Sequence, residues 1–485
     1  MKISQGVVRG SRGAVSAAHP LAVAAGQEML RTGGTAADAA IAAQAVLCVV
    51  MPNNCGLGGD MLALVHKPGV EQWGLNGTGA APVHLSRVTD DGATSITVPG
   101  LVDAWCALSE HAGRLPLSRV LQPAIDLARS GVSVSPALAR TLIAQRTRLQ
   151  LGGASGWNLF NQEAGAVVRQ PELAATLESI AANGRGAFYD GVAARAIAKA
   201  VQELGGTLSV TDLAAHSSVI ATPLESGWGR IRVATQPPMS QGVLLNMAVE
   251  GLHKLGEFPV ALDDHVAIEL TGAAFAFRSD VAQGAALLKH ELAVDLRKAA
   301  HRSGGPRAYL HTAGVATVDN EGQVISSLLS VFDDFGSCVF VPELGFTLNN
   351  RAGGFTDGAN AAAPGKRPVH TLAPILVTTA EGVLALATPG ADGQVQTLLQ
   401  VLMGVHREEL ELGEAIARPR WRSENGALLI ERSHPGIQEL AARGHQVSPL
   451  PDGDNRFGAV VCAGYLDGQP VAAADWRRET AAGAV

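Results

Sequence analysis

Two runs of small and apolar residues in the second half of the chain flank one polar tetrapeptide. The runs cover residues 313–319 and 323–331, and the sequence Asp-Asn-Glu-Gly occupies residues 319–322. Apolar runs on either side of a glycine-containing polar turn favour two antiparallel strands. The pattern therefore predicts a β-hairpin that begins directly after Thr312.

A second strong pattern lies near the start of the chain. Residues 36–50 are almost entirely apolar, and Thr35 before them is a plausible N-cap, so they predict a central helix buried against a sheet. Residues 15–31 predict another helix, and residues 61–65 and 71–75 predict short strands.

The remaining segments alternate between the two kinds of element. Residues 100–145 predict several short helices broken by proline, and residues 146–170 predict a loop or lid. Further predicted helices cover 171–204, 241–256, 393–404 and 434–443, and further predicted strands cover 344–348, 373–378 and 383–388. Residues 285–311 mix basic residues with glycine, as a mobile segment ahead of a processing site does. Periodicity alone therefore predicts a mixed α and β protein.

Composition narrows the class of partner. The 485 residues are 47% hydrophobic, enough for one large core or two moderate ones. A net charge of −7 without a basic run argues against nucleic acid as a partner. The five cysteines have neither paired nor metal-like spacing, which favours a reducing compartment and predicts no metal site.

The apolar segments also bear on location. Residues 1–10 have no apolar core of the kind that a signal peptide needs. The longest apolar run, residues 39–51, is interrupted by Gln44 and is too short to span a bilayer. We therefore expect a cytoplasmic protein with no membrane partner.

A series of short motifs follows a fixed order along the chain. They are GGTAADAA at 33–40, GLGGD at 56–60, VPGLV at 98–102, AFYDG at 187–191, GGTL at 205–208, NNRAG at 349–353, KRP at 366–368 and TPGA at 388–391. Together they resemble the γ-glutamyltransferase family of N-terminal nucleophile (Ntn) hydrolases. The resemblance implies an α+β fold with four αββα layers.

The same resemblance implies a precursor that cuts itself between His311 and Thr312. The products would be the segments 1–311 and 312–485, which we expect to share sheets and to form one structural domain. The resemblance is compatible with a homodimer of such two-fragment units. It implies a small-molecule amide substrate and no cofactor.

In the implied chemistry, the Thr312 hydroxyl attacks the carbonyl of His311, and water then releases the resulting ester. The freed α-amine titrates near pH 8, so it can act as the base for the same residue's hydroxyl. Acyl transfer would then pass through an acyl-enzyme, resolved by water or by an acceptor amine.

Three further residues match the family's catalytic positions. Ser330 matches the position that offers a hydroxyl to the nucleophile, although a purely structural strand serine is the alternative. Gly390 and Ala391 match the pair whose backbone N–H groups stabilise the oxyanion. Alanine at the second position is compatible with this role if its φ permits.

Departures from the family pattern concern the substrate. True γ-glutamyl enzymes hold the glutamate head group with an arginine and an aspartate, and Thr78 and Gly354 stand at those positions here. Phe332 replaces a further asparagine. A site that has lost both charged contacts is expected to bind a different ligand.

Other residues offer candidate contacts for that ligand. Arg351 could hold a carboxylate bidentately, with a solvated loop arginine as the alternative, and Arg367 is a competitor that more plausibly braces the fold. His370 and Thr371 match the family's position beside the substrate, and for His370 a structural role is an equal alternative.

The leading hypothesis is an amidohydrolase for a small carboxylate-bearing, oxamate-like amide. A γ-glutamyl enzyme with altered head-group contacts and a non-catalytic binding protein remain alternatives. His311 and Cys338 also depart from the pattern, and either could slow maturation.

Overall fold

Two seven-stranded antiparallel sheets form the centre of the molecule. The computed structural model describes residues 6–85, 87–300 and 311–485. Helices pack on the outer face of each sheet, which gives four layers in the order αββα. The expected α+β Ntn-hydrolase sandwich is confirmed.

The described strands are β1 (Val8–Arg9), β2 (Gly13–Ala17), β3 (Asp60–Lys67), β4 (Val70–Gly77), β5 (Val132–Ser133), β6 (Val167–Val168), β7 (Val219–Ala221), β8 (Leu224–Trp228), β9 (Ile231–Thr235), β10 (Ala313–Asp319), β11 (Val324–Ser330), β12 (Phe340–Val341), β13 (Phe346–Thr347), β14 (Ile375–Thr378), β15 (Gly382–Ala387), β16 (Trp421–Glu424), β17 (Ala427–Glu431), β18 (Val447–Leu450), β19 (Val461–Leu466), β20 (Gln469–Ala474) and β21 (Ala481–Ala484).

The described α-helices are α1 (Pro20–Arg31), α2 (Ala36–Val50), α3 (Leu101–Ala112), α4 (Leu117–Val120), α5 (Gln122–Ser130), α6 (Pro136–Ala144), α7 (Arg146–Leu151), α8 (Pro171–Asn183), α9 (Gly186–Tyr189), α10 (Gly191–Glu203), α11 (Val210–Ala214), α12 (Gly242–Leu255), α13 (Asp263–Ala274), α14 (Gly393–His406), α15 (Leu412–Ala417) and α16 (Ile437–Ala442). Segments of 3₁₀ helix cover Ala93–Ser95, Ala154–Gly156, Val260–Leu262, Phe275–Lys289, Arg351–Gly354, Gly358–Asn360 and Asn455–Phe457.

Both large sheets interleave strands from before and after residue 311. The first sheet has the order β21-β2-β10-β11-β3-β4-β7, and the second has the order β1-β20-β19-β15-β14-β9-β8. In the first sheet, β10 pairs with β2 on one side and with β11 on the other. The segments 1–311 and 312–485 are therefore joined by backbone hydrogen bonds in each sheet.

Helix α2 fixes the position of the β10–β11 hairpin. Thr35 caps the helix in a reciprocal capping box with Asp38, which satisfies backbone donors at the helix start. The first turn then binds the hairpin, because Ala36 N–H donates to Asp319 Oδ2 at 2.9 Å and the Thr317 hydroxyl donates to Ala36 O at 2.7 Å. These contacts hold the hairpin, and with it Thr312, against the buried helix.

Small residues line the space between the sheets. Along β10, Val315 packs towards the helices, whereas Ala316 and Val318 pack towards the second sheet, as the two-residue repeat of a strand requires. A Cβ added to Gly314 would lie 2.8 Å from Val461 Cγ2 on β19. The close approach of the sheets therefore depends on a glycine beside Thr312.

Most predicted elements are confirmed, including the hairpin and the helix at 36–50 with its Thr35 cap. The helix predicted for residues 15–31 is confirmed from Pro20 to Arg31, but its predicted start is wrong, because β2 occupies Gly13–Ala17 before α1 begins. This small, fully buried strand is set by its pairing with β10 and β21, which no local pattern reveals. The predicted loop at 146–170 also contains α7 and β6.

Part of the segment predicted to be mobile, residues 301–310, lies outside the described residues. Its earlier part includes the end of the 3₁₀ segment Phe275–Lys289. In the ranges that the structure describes, no helix combines the length and the apolar character needed to cross a bilayer.

Candidate active site around the His311–Thr312 bond

The bond predicted to be cut lies at the start of β10, with Thr312 only 4% exposed. The Thr312 hydroxyl donates a hydrogen bond of 2.7 Å to the carbonyl oxygen of His311. The hydroxyl oxygen is thus held beside the carbonyl group that it would attack. Pre-positioning of this kind lowers the entropic part of a reaction barrier.

Ser330, at the end of β11, converges on the same carbonyl. Its hydroxyl donates to His311 O at 2.8 Å and accepts a hydrogen bond of 2.9 Å from Phe332 N–H. Ser330 is therefore placed to polarise the carbonyl of the bond that is predicted to be cut, whereas the sequence predicts a contact with the Thr312 hydroxyl. A donor in this position favours the negative charge that develops on the oxygen during attack.

The side chain of His311 points towards an open cleft. His311 Nδ1 lies 2.9 Å from Asp334 Oδ1. The cleft has a volume of about 510 Å³, and its lining includes His311, Asp334, Asn53 and Arg140. Water can therefore approach His311 from this side.

The glycine loop at residues 56–60 packs directly beneath Ser330. A Cβ added to Gly59 would lie 2.4 Å from Ser330 O, a distance that only glycine can accommodate. Asp60, which ends the loop and begins β3, is the direct cross-strand partner of Ser330. The loop thus places Asp60 on the strand next to Ser330.

Asp60 binds both Arg351 and His370. Arg351 Nε donates to Asp60 Oδ2 at 3.0 Å, and His370 Nε2 lies 3.3 Å from the same oxygen. Leu372 N–H donates to His370 Nδ1, so Nε2 is the nitrogen that carries the proton in the neutral ring. All three side chains are buried.

Burial and charge set the protonation of this cluster. Burial and the neighbouring Arg351 charge lower the pKa of His370 to about 4, so the imidazole is neutral at pH 7. Burial opposes ionisation of Asp60, but the hydrogen bond from His370 and the charge of Arg351 outweigh it and lower its pKa. Burial lowers the pKa of Arg351 from a very high starting value, so it stays charged. The cluster therefore holds one carboxylate and one guanidinium.

Arg351 has donors that this pairing leaves unused. Its Nη1 and Nη2 atoms are buried, and no acceptor among the described residues bonds to them. The guanidinium carbon lies 4.5 Å from the centre of the Phe332 ring. The alternative of a solvated loop arginine is wrong, because Arg351 is 0% exposed.

Phe332 has a strained backbone and lies between Ser330 and Arg351. Its φ is 86°, a value that residues other than glycine rarely adopt. The same residue donates its N–H to Ser330 and lies against Arg351. Strain of this kind costs on the order of 1–3 kcal/mol and often accompanies a functional constraint.

Gly390 and Ala391 form the turn between β15 and α14. Their φ angles are 130° and 48°. Ala391 therefore adopts the left-handed conformation, so its φ meets the condition set for alanine at this position. In the described ranges, the N–H groups of both residues have no hydrogen-bond acceptor. The turn follows Ala387, whose Cβ would lie 3.6 Å from a Cβ on Gly314. Two unused donors therefore lie in the turn that follows a strand packed against β10.

Gln241 ties this turn to the predicted substrate residues. Its side-chain amide donates to Thr371 O at 2.6 Å and to Ala391 O at 2.8 Å. The structure thus groups Thr312 with Ser330, and Arg351 with His370, while Gln241 connects Thr371 to the Gly390–Ala391 turn. The competitor Arg367 donates to the carbonyls of Thr78 and Ser217, as a brace does.

Sequence reasoning did not assign roles to Asp60, Gln241 or Asp334. Asp60 ends a glycine motif, and an acidic residue at the start of an apolar strand is a signal that could have identified it. Gln241 and Asp334 carry no such signal, since their contacts depend on residues distant in the sequence.

The chain is similar to known proteins over most of its length. The family model described as gamma-glutamyltranspeptidase matches residues 22–485. An oxamate amidohydrolase proenzyme from Klebsiella pneumoniae is 30% identical over 92% of this chain and 93% of its own length. An acylase ACY 1 proenzyme from a Pseudomonas species is 31% identical over 97% of this chain and 93% of its own length.

A solved structure extends the comparison to the fold. The crystal structure of cephalosporin acylase from Bacillus halodurans is 28% identical and superposes with a TM-score of 0.87. The match covers 99% of this chain and 97% of the other.

Proposed function

Because the chain belongs to the γ-glutamyltranspeptidase family of self-cleaving Ntn hydrolases, we propose that it is an amidohydrolase whose nucleophile is Thr312. One observation carries this proposal. The hydroxyls of Thr312 and Ser330 both donate to the carbonyl oxygen of His311, at 2.7 Å and 2.8 Å. One of these groups has the position of an attacking hydroxyl, and the other has the position of an electrophilic donor.

Maturation then follows from this arrangement. The Thr312 oxygen attacks the His311 carbonyl carbon, the C–N bond breaks, and the Thr312 amine takes up a proton as an ester forms. Water cleaves the ester to give a carboxylate on His311 and a free hydroxyl on Thr312. The products are segments 1–311 and 312–485, and we expect the shared sheets to hold them together as one domain.

In the mature enzyme, Thr312 would supply both nucleophile and base. Its α-amine, with a pKa near 8, takes the proton from its own hydroxyl as the substrate carbonyl is attacked. The unused N–H groups of Gly390 and Ala391 supply donors for the oxyanion. The amine of the substrate leaves, and water releases the acid from the acyl-enzyme.

We further propose that the substrate is a small amide bearing a carboxylate, with an oxamate-like compound as the specific candidate. Arg351 supports this choice because its Nη1 and Nη2 atoms are buried without an acceptor in the described residues. Leaving a buried donor unpaired costs about 1–3 kcal/mol, which a bound carboxylate would recover. His370 and Thr371 lie in the same region and would border the substrate.

Access to Arg351 requires some rearrangement. In the uncut chain its side chain is fully buried, with Phe332 against one face. Cleavage would free the Ser330 hydroxyl from its present amide carbonyl and allow the strained Phe332 backbone to adjust. Carboxylate binding is therefore a property that we expect of the mature form.

The first experiment tests the nucleophile. Purified protein should migrate as two fragments, and sequencing of the smaller one should begin with Thr312-Ala313-Gly314. Thr312→Ala should remain a single full-length chain, whereas Thr312→Ser should mature more slowly and keep some activity, because a hydroxyl remains. Appearance of both fragments in Thr312→Ala would exclude Thr312 as the nucleophile.

The second experiment tests the substrate class. Ammonia release from a panel of small amides should favour those with a carboxylate beside the amide. Arg351→Lys should leave maturation intact and raise KM for an acidic amide by roughly tenfold, about 1.4 kcal/mol. A neutral amide of the same size is the matched control and should be affected much less. Equal losses on both substrates, or failure to mature, would assign Arg351 to the Asp60 ion pair alone.

A further inference from the structure

A second group of ligating side chains lies apart from the residues around Thr312. His265 and Glu269 of α13 meet His445, which follows α16, and their ligand atoms all lie within 4.8 Å of one another. We propose that these three residues bind a divalent transition metal of the zinc class.

The helix presents two of the ligands together. His265 and Glu269 are four residues apart on α13, so their side chains lie on one face of the helix. His265 is 1% exposed and Glu269 is 2% exposed, so both side chains are largely shielded from bulk water. His445 is only half-buried, so it can adjust to a bound ion.

Hydrogen bonding prepares His265 for ligation. Its Nε2 lies 2.8 Å from the carbonyl oxygen of Asp295, which can only accept a hydrogen bond, so Nε2 carries the proton. The lone pair of the neutral ring is then on Nδ1, and this atom faces His445 Nε2 at 2.8 Å. A metal-bound histidine typically donates its other ring N–H to a backbone carbonyl in this way.

The present spacing is close to that of a loaded site. Two nitrogen atoms that bind one tetrahedral zinc ion at about 2.0–2.1 Å lie roughly 3.3 Å apart. The two imidazoles would therefore have to separate by only about half an ångström from their present spacing, as one bridging proton is replaced by the ion. Glu269, whose Oε1 accepts from Ala300 N–H at 3.2 Å, would complete the set by a small rotation.

The donor set indicates which ions would bind. Two imidazoles and one carboxylate suit zinc, cobalt or nickel, whereas magnesium and calcium prefer oxygen ligands alone. Glu269 and His445 border a cleft of about 410 Å³ whose wall also includes Ala299 and Ala300. A fourth coordination position can therefore be reached by water.

A metal here would also join the two segments. His265 and Glu269 precede residue 311, whereas His445 follows it. If the chain is cut as proposed above, the ion would become a cross-link between two separate polypeptides. This consequence rests on the proposed cleavage, but metal binding itself does not.

The test uses the whole protein after removal of metals with a chelator. Calorimetric titration with Zn²⁺ should show one tight site, and Co²⁺ should give the visible absorption of a low-symmetry nitrogen and oxygen site. Glu269→Gln and His445→Gln should each weaken Zn²⁺ binding by at least about a hundredfold, since even outer-shell changes cost 10–100-fold. Zn²⁺ should raise the Tm of the wild type but not of these variants.

Two controls make the outcome decisive. His253→Gln removes an exposed histidine on α12 and should leave Zn²⁺ binding unchanged. Thr312→Ala should also bind Zn²⁺ normally, so a failure of cleavage would not be confused with a failure of the metal site. Absence of a tight site in the wild type, or equal binding by wild type, Glu269→Gln and His445→Gln, would overturn the proposal.

Discussion

Asp60 and Ser330 lie directly opposite each other on β3 and β11. The Ser330 hydroxyl donates to the carbonyl of His311, and the Asp60 carboxylate accepts a hydrogen bond from Arg351. One cross-strand pair therefore connects the bond proposed to be cut with the cation proposed to bind substrate. Substitution of either residue should therefore affect both the rate of maturation and the rate of substrate turnover.

Ser330→Ala should slow maturation. The substitution removes one hydrogen bond to His311 O, and loss of a single oxyanion donor typically lowers a rate by about 10²–10³. The measurement is the half-time of fragment appearance on a gel. Ser326→Ala is the matched control, because Ser326 is a buried serine on the same strand whose hydroxyl donates to Leu386 O. Equal half-times in the two variants would remove Ser330 from the mechanism.

γ-Glutamyl compounds should be poor substrates. Thr78 bonds to Asn76 instead of offering a cation, and Gly354 offers no carboxylate. Each missing charged contact is worth about 1.5–3 kcal/mol, so two should lower kcat/KM by roughly 10²–10⁴. A γ-glutamyl anilide assayed beside an acidic amide measures this ratio. Turnover of the anilide at about 10 per second would instead support a γ-glutamyl enzyme.

The pKa of His370 predicts a specific dependence of stability on pH. Its value of about 4 in the fold lies below the roughly 6.5 of an unfolded chain. The neutral ring therefore contributes stability that is fully present above pH 6.5 and is lost as the pH falls towards 4. The loss should amount to about 3 kcal/mol in the free energy of unfolding.

Other buried histidines also change stability with pH. Burial lowers the pKa of His216, for example, to about 4. A variant at His370 separates the contribution of His370 from theirs. The difference in unfolding free energy between wild type and His370→Gln should shrink by about 3 kcal/mol from pH 7 to pH 4. Urea unfolding at both pH values provides the measurement. A difference that stays constant with pH would mean that folding leaves the pKa of His370 unchanged.

The cysteines should be unreactive in the folded protein. All five are free, and burial raises the pKa of Cys106 to about 11 and the pKa of both Cys338 and Cys462 to about 12. Because the thiolate is the reactive form, a disulfide reagent at pH 8 should titrate almost none of them until denaturant is added. Rapid modification of one thiol in the native state would contradict this arrangement.

The local sequence pattern predicts those helices and strands whose formation depends on residues close together in the sequence. Helix α2 was predicted at residues 36–50 because Thr35 and the apolar run define its start and its face. The β10–β11 hairpin was predicted because its turn lies within the pattern. Strand β2 was missed because five small residues become a strand only through pairing with β10 and β21.

The residues of the candidate site could likewise be predicted only in part from the sequence. Thr312, Ser330 and Arg351 could be proposed from motif positions, but the contact of Ser330 with a carbonyl and the burial of Arg351 depend on the packed sheets. The His265–Glu269–His445 group was not predicted at all. Its two histidines are 180 positions apart, and no short spacing connects them.

Because strands from the two segments alternate in both sheets, the chain would have to fold before it is cut, and this order could not be reversed. An uncut chain can form both sheets as one molecule, whereas a cut and unfolded protein must bring two chains together at low concentration. Refolding would then slow with dilution, and the surviving enzyme would be protected by its unfolding barrier rather than by equilibrium. The cleavage proposed at Thr312 would thus turn a protein that can refold into one that is assembled only once.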